Sequence, residues 1–208
     1  GGDFTVNGVL ATAERGPNQD NCSASTFDGS NDYLSRSSIT GIADSKVVTF
    51  SCFIKDELQD NTRLMYFKKS NGDSMFDLRS REAAVNGFIL IVQGSSGIVF
   101  ESNTIPFNKD INTSFQMVID TETPANSKFA IDGVVSSISI NNSTNAVAIF
   151  GSNASSFNIG STGSSHYWNG SMGEFYFNTT YTDLATDNPF WDSDTNRPNS
   201  VRKVIEDT

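Results

Sequence analysis

The chain has 208 residues, a length that a single large all-β domain reaches routinely. Hydrophobic residues make up 37% and include 16 Phe, enough for a real core, while only 18% are charged, so Ser, Thr and Asn must supply the surface polarity. The formal charge of −10 argues against a nucleic-acid backbone as partner, because phosphate binding needs a basic face. No apolar run approaches the roughly 18 residues of a membrane span.

The chain starts Gly1-Gly2, with neither an initiator Met nor a signal peptide, which reads as a processed chain or one segment of a longer polypeptide. Of the two cysteines, Cys52 sits in an apolar strand and reads as a buried free thiol. Cys22 lies in a polar loop; a Cys22–Cys52 bridge is the alternative, which sequence alone does not test.

Along the chain, the first strong pattern is Val47 to Ile54, where Val48, Phe50, Cys52 and Ile54 share one parity, as in a strand buried mainly on one face. Arg63 to Lys68, Met75 to Leu78, Phe88 to Val92 and Ile98 to Phe100 follow at sandwich-like spacing, with turn signals such as Asn71-Gly72 between them. Phe115, Met117 and Ile119 share a face of the next strand, and Phe129 to Ile131 ends at an Asp132-Gly133 turn. Ala146 to Phe150, Phe157 to Ile159 and Met172 to Phe177 complete about a dozen strands. The acidic stretch from Asp183 to Asp194 holds Phe190 and Trp191 side by side, which favours their burial against something. At the end, Val201, Val204 and Ile205 recur at helical spacing after Pro198, predicting a short helix whose apolar stripe packs on the sandwich or a neighbour, with Arg202 and Lys203 facing away. The expected architecture is an all-β, two-sheet antiparallel sandwich with a C-terminal helix. Its parts are an N-terminal segment over 1–24, the sandwich over 25–185 and a C-terminal loop and helix over 186–208.

Four segments in order resemble the laminin-G-like branch of the concanavalin A-like jelly rolls. Phe27-Asp28-Gly29-Ser30-Asn31-Asp32-Tyr33-Leu34 is similar to that family's opening hairpin, with Phe27, Tyr33 and Leu34 available to the core. Val48 to Lys55 is similar to a family strand in which the third apolar residue is often Trp. Phe115 to Asp120, followed by Lys128 to Val134, resembles the hairpin that ends in an aromatic-x-x-Asp-Gly turn. Asn158-Ile159-Gly160 and then Trp168 to Phe177 resemble the final Ile-Gly turn and last strand, with Gly173 where the family usually has Asp. The two ends, Gly1 to Gly8 and Ser200 to Ile205, are similar to segments that flank such modules in bacteriophage structural proteins.

Chemistry narrows the expectation further. Catalytic β-glucanases of this fold carry Glu-x-Asp-x-x-Glu, which sets two carboxylates on one strand face. None of Glu14, Glu57, Glu82, Glu101, Glu122, Glu174 or Glu206 begins that pattern. His166 is the only histidine, which disfavours a Ser-His-Asp triad or a His-rich zinc site. A non-enzyme is therefore expected. The segment His166-Tyr167-Trp168-Asn169 is the candidate ligand loop, since aromatic faces stack on sugar rings and His or Asn can hydrogen-bond hydroxyls. The competing reading makes Trp168 a core residue just before the last strand. Asp28, Asn31, Asp32 and Asp132 offer oxygen ligands of the kind calcium accepts, as related laminin-G-like domains do at a sandwich rim, although such residues in Asp-Gly turns usually satisfy backbone donors.

The expected function is a non-catalytic structural or adhesion module of a phage virion, with other virion subunits and host-surface glycans as partners. The chain is expected as a homo-oligomer or part of a longer chain, at a virion surface or outside the cell, without nucleic-acid or membrane partners. The alternative is a secreted bacterial carbohydrate-binding or adhesion module outside any virus.

Overall fold

The computed structural model describes residues 5–8, 11–13, 24–37, 45–56, 61–70, 74–81, 87–94, 97–107, 111–143, 154–199 and 204–205. Its strands, in chain order, are β1 (Thr5–Asn7), β2 (Ala11–Ala13), β3 (Ala24–Asp28), β4 (Tyr33–Ser37), β5 (Val47–Asp56), β6 (Arg63–Lys69), β7 (Ser74–Arg81), β8 (Gly87–Gly94) and β9 (Gly97–Ser102). There follow β10 (Ile105–Pro106), β11 (Thr113–Asp120), β12 (Lys128–Ile131), β13 (Val134–Ser137), β14 (Ile140–Ser143), β15 (Ala154–Ile159), β16 (Asn169–Asn178), β17 (Trp191–Asp192) and β18 (Arg197–Pro198). One sheet, here sheet A, runs β1-β4-β15-β6-β7-β8-β9-β14 with β10 on β8; the other, sheet B, runs β13-β12-β11-β5-β16-β3-β2. Every pairing is antiparallel. The two sheets form the expected jelly-roll sandwich.

The period-2 patterns decide which residues lie between the sheets. Val48, Phe50, Cys52 and Ile54 of β5 face the interior together with Phe115, Met117 and Ile119 of β11, and across from them stand Phe67, Phe76, Leu78, Phe88 and Leu90 of sheet A. Phenylalanines dominate this layer. Phe67 stacks on Phe157 with ring centroids 4.1 Å apart, and Phe88 touches Phe107, Phe115 and Trp168. Cys52 is a buried free thiol, and burial pushes its pKa up by disfavouring the charged thiolate. Cys22 lies outside the described residues, as do the Asn71-Gly72 turn and the strand expected over Ala146 to Phe150.

A second apolar layer lies on the outer side of sheet B. Leu184, Phe190 and Val204 are buried there against Val118 and Ala130, with Val47, Val135 and Tyr176 partly buried at the margin. The C-terminal segment thus packs on the sandwich. Its detail departs from expectation. Pro198 belongs to β18, paired with Trp191, and not to the first turn of a helix. Helical conformation appears at Val204 and Ile205, but only Val204 is buried, while Ile205 is 63% exposed. Val201, Arg202 and Lys203 lie outside the described residues.

The Phe27-to-Leu34 segment also departs. It is not a hairpin, because β3 pairs with β2 and β16 in sheet B while β4 pairs with β1 and β15 in sheet A. Asp28 to Asp32 is therefore a crossing between the two sheets, and a short Asp-Gly turn serves that geometry as readily as a hairpin. By contrast Asp132-Gly133 does join paired strands. Both residues have positive φ, +47° and +79°, as a two-residue hairpin turn of the primed type requires.

Candidate functional site

The loop from Ser161 to Trp168 crosses from β15 of sheet A to β16 of sheet B, and its backbone is pinned to β6 of sheet A. Gly160 N–H bonds the Leu64 carbonyl at 3.2 Å, Trp168 N–H bonds the Gly160 carbonyl at 2.7 Å, and Arg63 N–H donates to the His166 carbonyl at 3.0 Å. Gly160 is required at the start of the crossing: its φ is +86°, and a Cβ there would come within 2.7 Å of the Phe27 ring. Within the loop, Thr162 hydroxyl donates to the Ser165 carbonyl at 3.1 Å, and Gly163 N–H donates to the Ser161 hydroxyl at 2.7 Å. These short-range bonds hold the loop in one shape before any ligand arrives.

The four expected ligand residues separate. His166 is exposed and held at φ +58°, its Nδ1 2.7 Å from the Ser165 hydroxyl. Tyr167 is half-buried and forms a tilted pair with Tyr33 at the start of β4, ring centroids 6.1 Å apart. Asn169 is partly exposed at the first position of β16, opposite Asp28, where its side chain lies against Gly29. Trp168 must be removed from the set. It is 0% exposed and stacks on Phe88 at 6.1 Å, so its faces are taken by the core and none is offered to a sugar. The reason is period 2: the side chains of Tyr167 and Trp168 point to opposite sides of an extended chain, and only one side is the interior.

The four expected calcium ligands do not meet either. Asp28 Oδ1 accepts from Ser30 N–H at 2.8 Å and Asn31 N–H at 3.2 Å, and Asp32 Oδ2 accepts from Asp28 N–H at 3.2 Å. The donors of its own turn hold the Asp28 carboxyl below its usual range. Asp132 Oδ1 is engaged by Ser114 N–H at 2.8 Å. It opens the turn after β12, which is four strand spacings from β3 in sheet B, about 19 Å at the usual interstrand distance. Among the described residues no cluster of three His, Cys, Asp or Glu side chains has the arrangement of a metal site. Asp28 and Asp32 accept from the backbone of their own turn, and Asp132 from the neighbouring strand β11, so each carboxylate already serves a backbone donor.

The structure adds residues that sequence reading passed over. Arg63 and Asp77 form a buried ion pair on β6 and β7, Nε to Oδ1 2.7 Å, with side chains 8% and 7% exposed. Arg63 Nη1 also donates to Asn61, to its backbone carbonyl and, at 2.7 Å, to its Oδ1, which Arg79 Nη1 approaches at 3.5 Å. Burial pushes the Asp77 carboxyl up and the Arg63 guanidinium down, and each partner's charge opposes that shift in the other. Burial and the two arginines also push His166 below the ordinary imidazole value, with Asp77 acting the other way. The cluster therefore shares one electrostatic environment with the loop. Period-2 reading would have placed Asp77 and Arg79 on the outer side of β7, opposite Phe76 and Leu78; nothing in the sequence pairs Asp77 with Arg63 on another strand.

An apolar cleft of about 160 Å³ is lined by Phe27, Leu34, Ile159, Met172 and Phe175, with Ser25 and Glu174 as its polar members. Glu174 sits at a register shift of β16 with φ +48°.

No protein-family model matches the sequence, and no curated protein is similar to it. Solved structures of the same fold are numerous. Domain 4 of AbnA, an extracellular arabinanase of Geobacillus stearothermophilus solved with arabinotriose, is similar at TM-score 0.63 and 18% identity, over 87% of this chain and 80% of that one. A heptameric SAP-like pentraxin from Limulus polyphemus is similar at TM-score 0.57 and 14% identity, over 78% of each chain. The enzymatically active domain of tailspike protein 2 of bacteriophage CBA120 is similar at TM-score 0.58 and 12% identity, over 86% of this chain and 29% of that one. At such identities the likeness is one of fold.

Proposed function

We propose that this chain is a non-catalytic carbohydrate-binding module whose ligand rests on the sandwich end built by Tyr33, Tyr167, His166 and Asn169. The observation that carries the reading is the Tyr33–Tyr167 pair: two half-buried rings, contributed by opposite ends of the chain, fixed side by side next to an exposed histidine. Rings held in place by packing offer a sugar an apolar platform at little entropic cost, and adjacent polar groups supply hydroxyl bonds. That a structure of this fold was solved with arabinotriose is consistent with the proposal.

The finer setting we propose is a phage virion, where the module would act in assembly or in adhesion to host glycans, as a repeated subunit or part of a longer chain. That setting rests on the likeness of the chain ends to phage modules, and 1–4 and 200–203 of those ends lie outside the described residues. A secreted bacterial module is the rival setting. Electron microscopy of the native particle separates them, since symmetry-related copies on a capsid or tail occur only in the first.

The binding proposal is tested on a glycan array probed with the purified chain, with and without chelator. Retention of one glycan class is expected, and Tyr167→Ala should abolish it while leaving the thermal midpoint unchanged. An array on which nothing is retained would sink the proposal. Glycan shortening by the purified chain, lost on changing one carboxylate to its amide, would overturn the non-catalytic part.

A further inference from the structure

The β6–β7 register sets Arg63 and Arg79 directly opposite one another. Like charges in that position repel, so the arrangement calls for a counter-charge. Asp77 supplies one, but it is committed to Arg63 at 2.7 Å and buried with it. Asn61, held in the left-handed region at φ +67°, turns its Oδ1 between the two guanidinium groups. An amide oxygen solvates a cation without neutralising it. Among the described residues, this group of two arginines and one aspartate carries one net positive charge. This occurs in a chain whose formal charge is −10. Arg79 is half-exposed, and His166, fastened through its carbonyl to Arg63 N–H, brings an imidazole within reach of the charges of both arginines. Ser165 occupies His166 Nδ1, which leaves Nε2 as the ring atom for a ligand. His166 also precedes Tyr167 in the loop, and Tyr33 on β4 lies three strands from Arg79 on β7 in sheet A, about 14 Å at the usual interstrand distance.

We propose that Arg79 and His166 receive the carboxylate of an acidic saccharide, a uronate or sialate residue, bound beside the Tyr33–Tyr167 platform. This rests on the carbohydrate-binding reading and specifies its ligand class. A guanidinium presents paired N–H donors that match a carboxylate's two oxygens, and the bond is charge-assisted on both sides.

Calorimetric titration against two matched pairs tests this: trigalacturonate with galactotriose, and 3′-sialyllactose with lactose. The acidic member of one pair should bind at least ten-fold more tightly than its neutral partner, and which pair responds identifies the acid. The preference should shrink as salt screens the charges. Arg79→Gln should erase the preference while leaving neutral-sugar binding intact. His166→Asn, which keeps a residue tolerant of positive φ, should reduce the preference and carries the test if Arg79→Gln does not fold. Equal binding of acidic and neutral partners by the parent chain, or an undiminished preference in both variants, overturns this inference and leaves carbohydrate binding standing. If neither pair binds and a broad array of neutral glycans is also blank, the binding reading falls, and this inference with it.

Discussion

The two sheets present different outer faces. On sheet B, Val118 and Ala130 alternate with inward-facing Met117 and Phe129, and the C-terminal segment lays Leu184, Phe190 and Val204 over them. On sheet A, the outward positions of β6 and β7 hold Tyr66, Asp77 and Arg79, tied to Arg63, Asn61 and the His166 loop. One face is covered by its own chain with apolar side chains, which is what a sheet does to lower its free energy. The other keeps a buried ion pair, which contributes little net stability once desolvation is counted. A face that retains charge at that cost, next to a rim of half-buried tyrosines, is the one to which binding is assigned here.

That contrast is open to breakage at several points. Phe190→Ala removes a buried ring from the covered face and should cost about 3–5 kcal/mol in chemical denaturation, with carbohydrate affinity of the folded fraction unchanged. A loss of affinity in step with stability would mean the two faces are not separate. On sheet A, Asp77→Ala leaves the Arg63 guanidinium buried without its counter-charge and should cost about 3–4 kcal/mol, whereas the double replacement Arg63→Met, Asp77→Leu should recover most of it. A double variant as unstable as the single one would make the pair structural. Gly133→Ala is a smaller test of the covered side. At φ +79° a Cβ would lie 2.3 Å from the Trp191 indole nitrogen, and a loss of about 1–3 kcal/mol is expected from thermal melts.

The smallest effect concerns His166. Its ring should titrate below about 6.5, followed by NMR, and Arg79→Gln should move the value upward by removing a nearby positive charge. A depressed folded-state value means the unfolded chain takes the proton first. His166 therefore opposes folding progressively as pH drops through the window below about 6.5, and that contribution is absent above it. A value unmoved by Arg79→Gln would remove the arginine from the histidine's surroundings.

Much of the fold was legible. β5 and β11 carry strict alternation of large apolar residues, and their buried faces are the ones their parity indicates. Asp132-Gly133 announced its turn because few other residue pairs tolerate two successive positive φ angles. The Phe27-to-Leu34 crossing was misread as a hairpin because a turn motif specifies a local reversal, not which sheet the next strand joins. At the end, Val204 and Ile205 are helical as their spacing predicts, but of the two only Val204 is buried, so the apolar stripe does not extend to Ile205. In the candidate site, His166, Tyr167 and Asn169 were visible as polar and aromatic residues in one loop. Tyr33 was assigned to the core, and Arg63, Asp77 and Arg79 carried no local signal.

The sequence by itself determined the sandwich, because burial on a pleated strand is written every second residue and turns are written in Gly, Asn and Asp. Only the tertiary structure decided that Trp168 serves the core, that Tyr167 meets Tyr33 from the far end of the chain, and that Arg63 pairs with Asp77 while Arg79 stands opposite it. Those outcomes depend on which strands become neighbours. Antiparallel pairing joins residues distant in the chain through backbone hydrogen bonds that are the same for every side chain, so no local pattern records the partner.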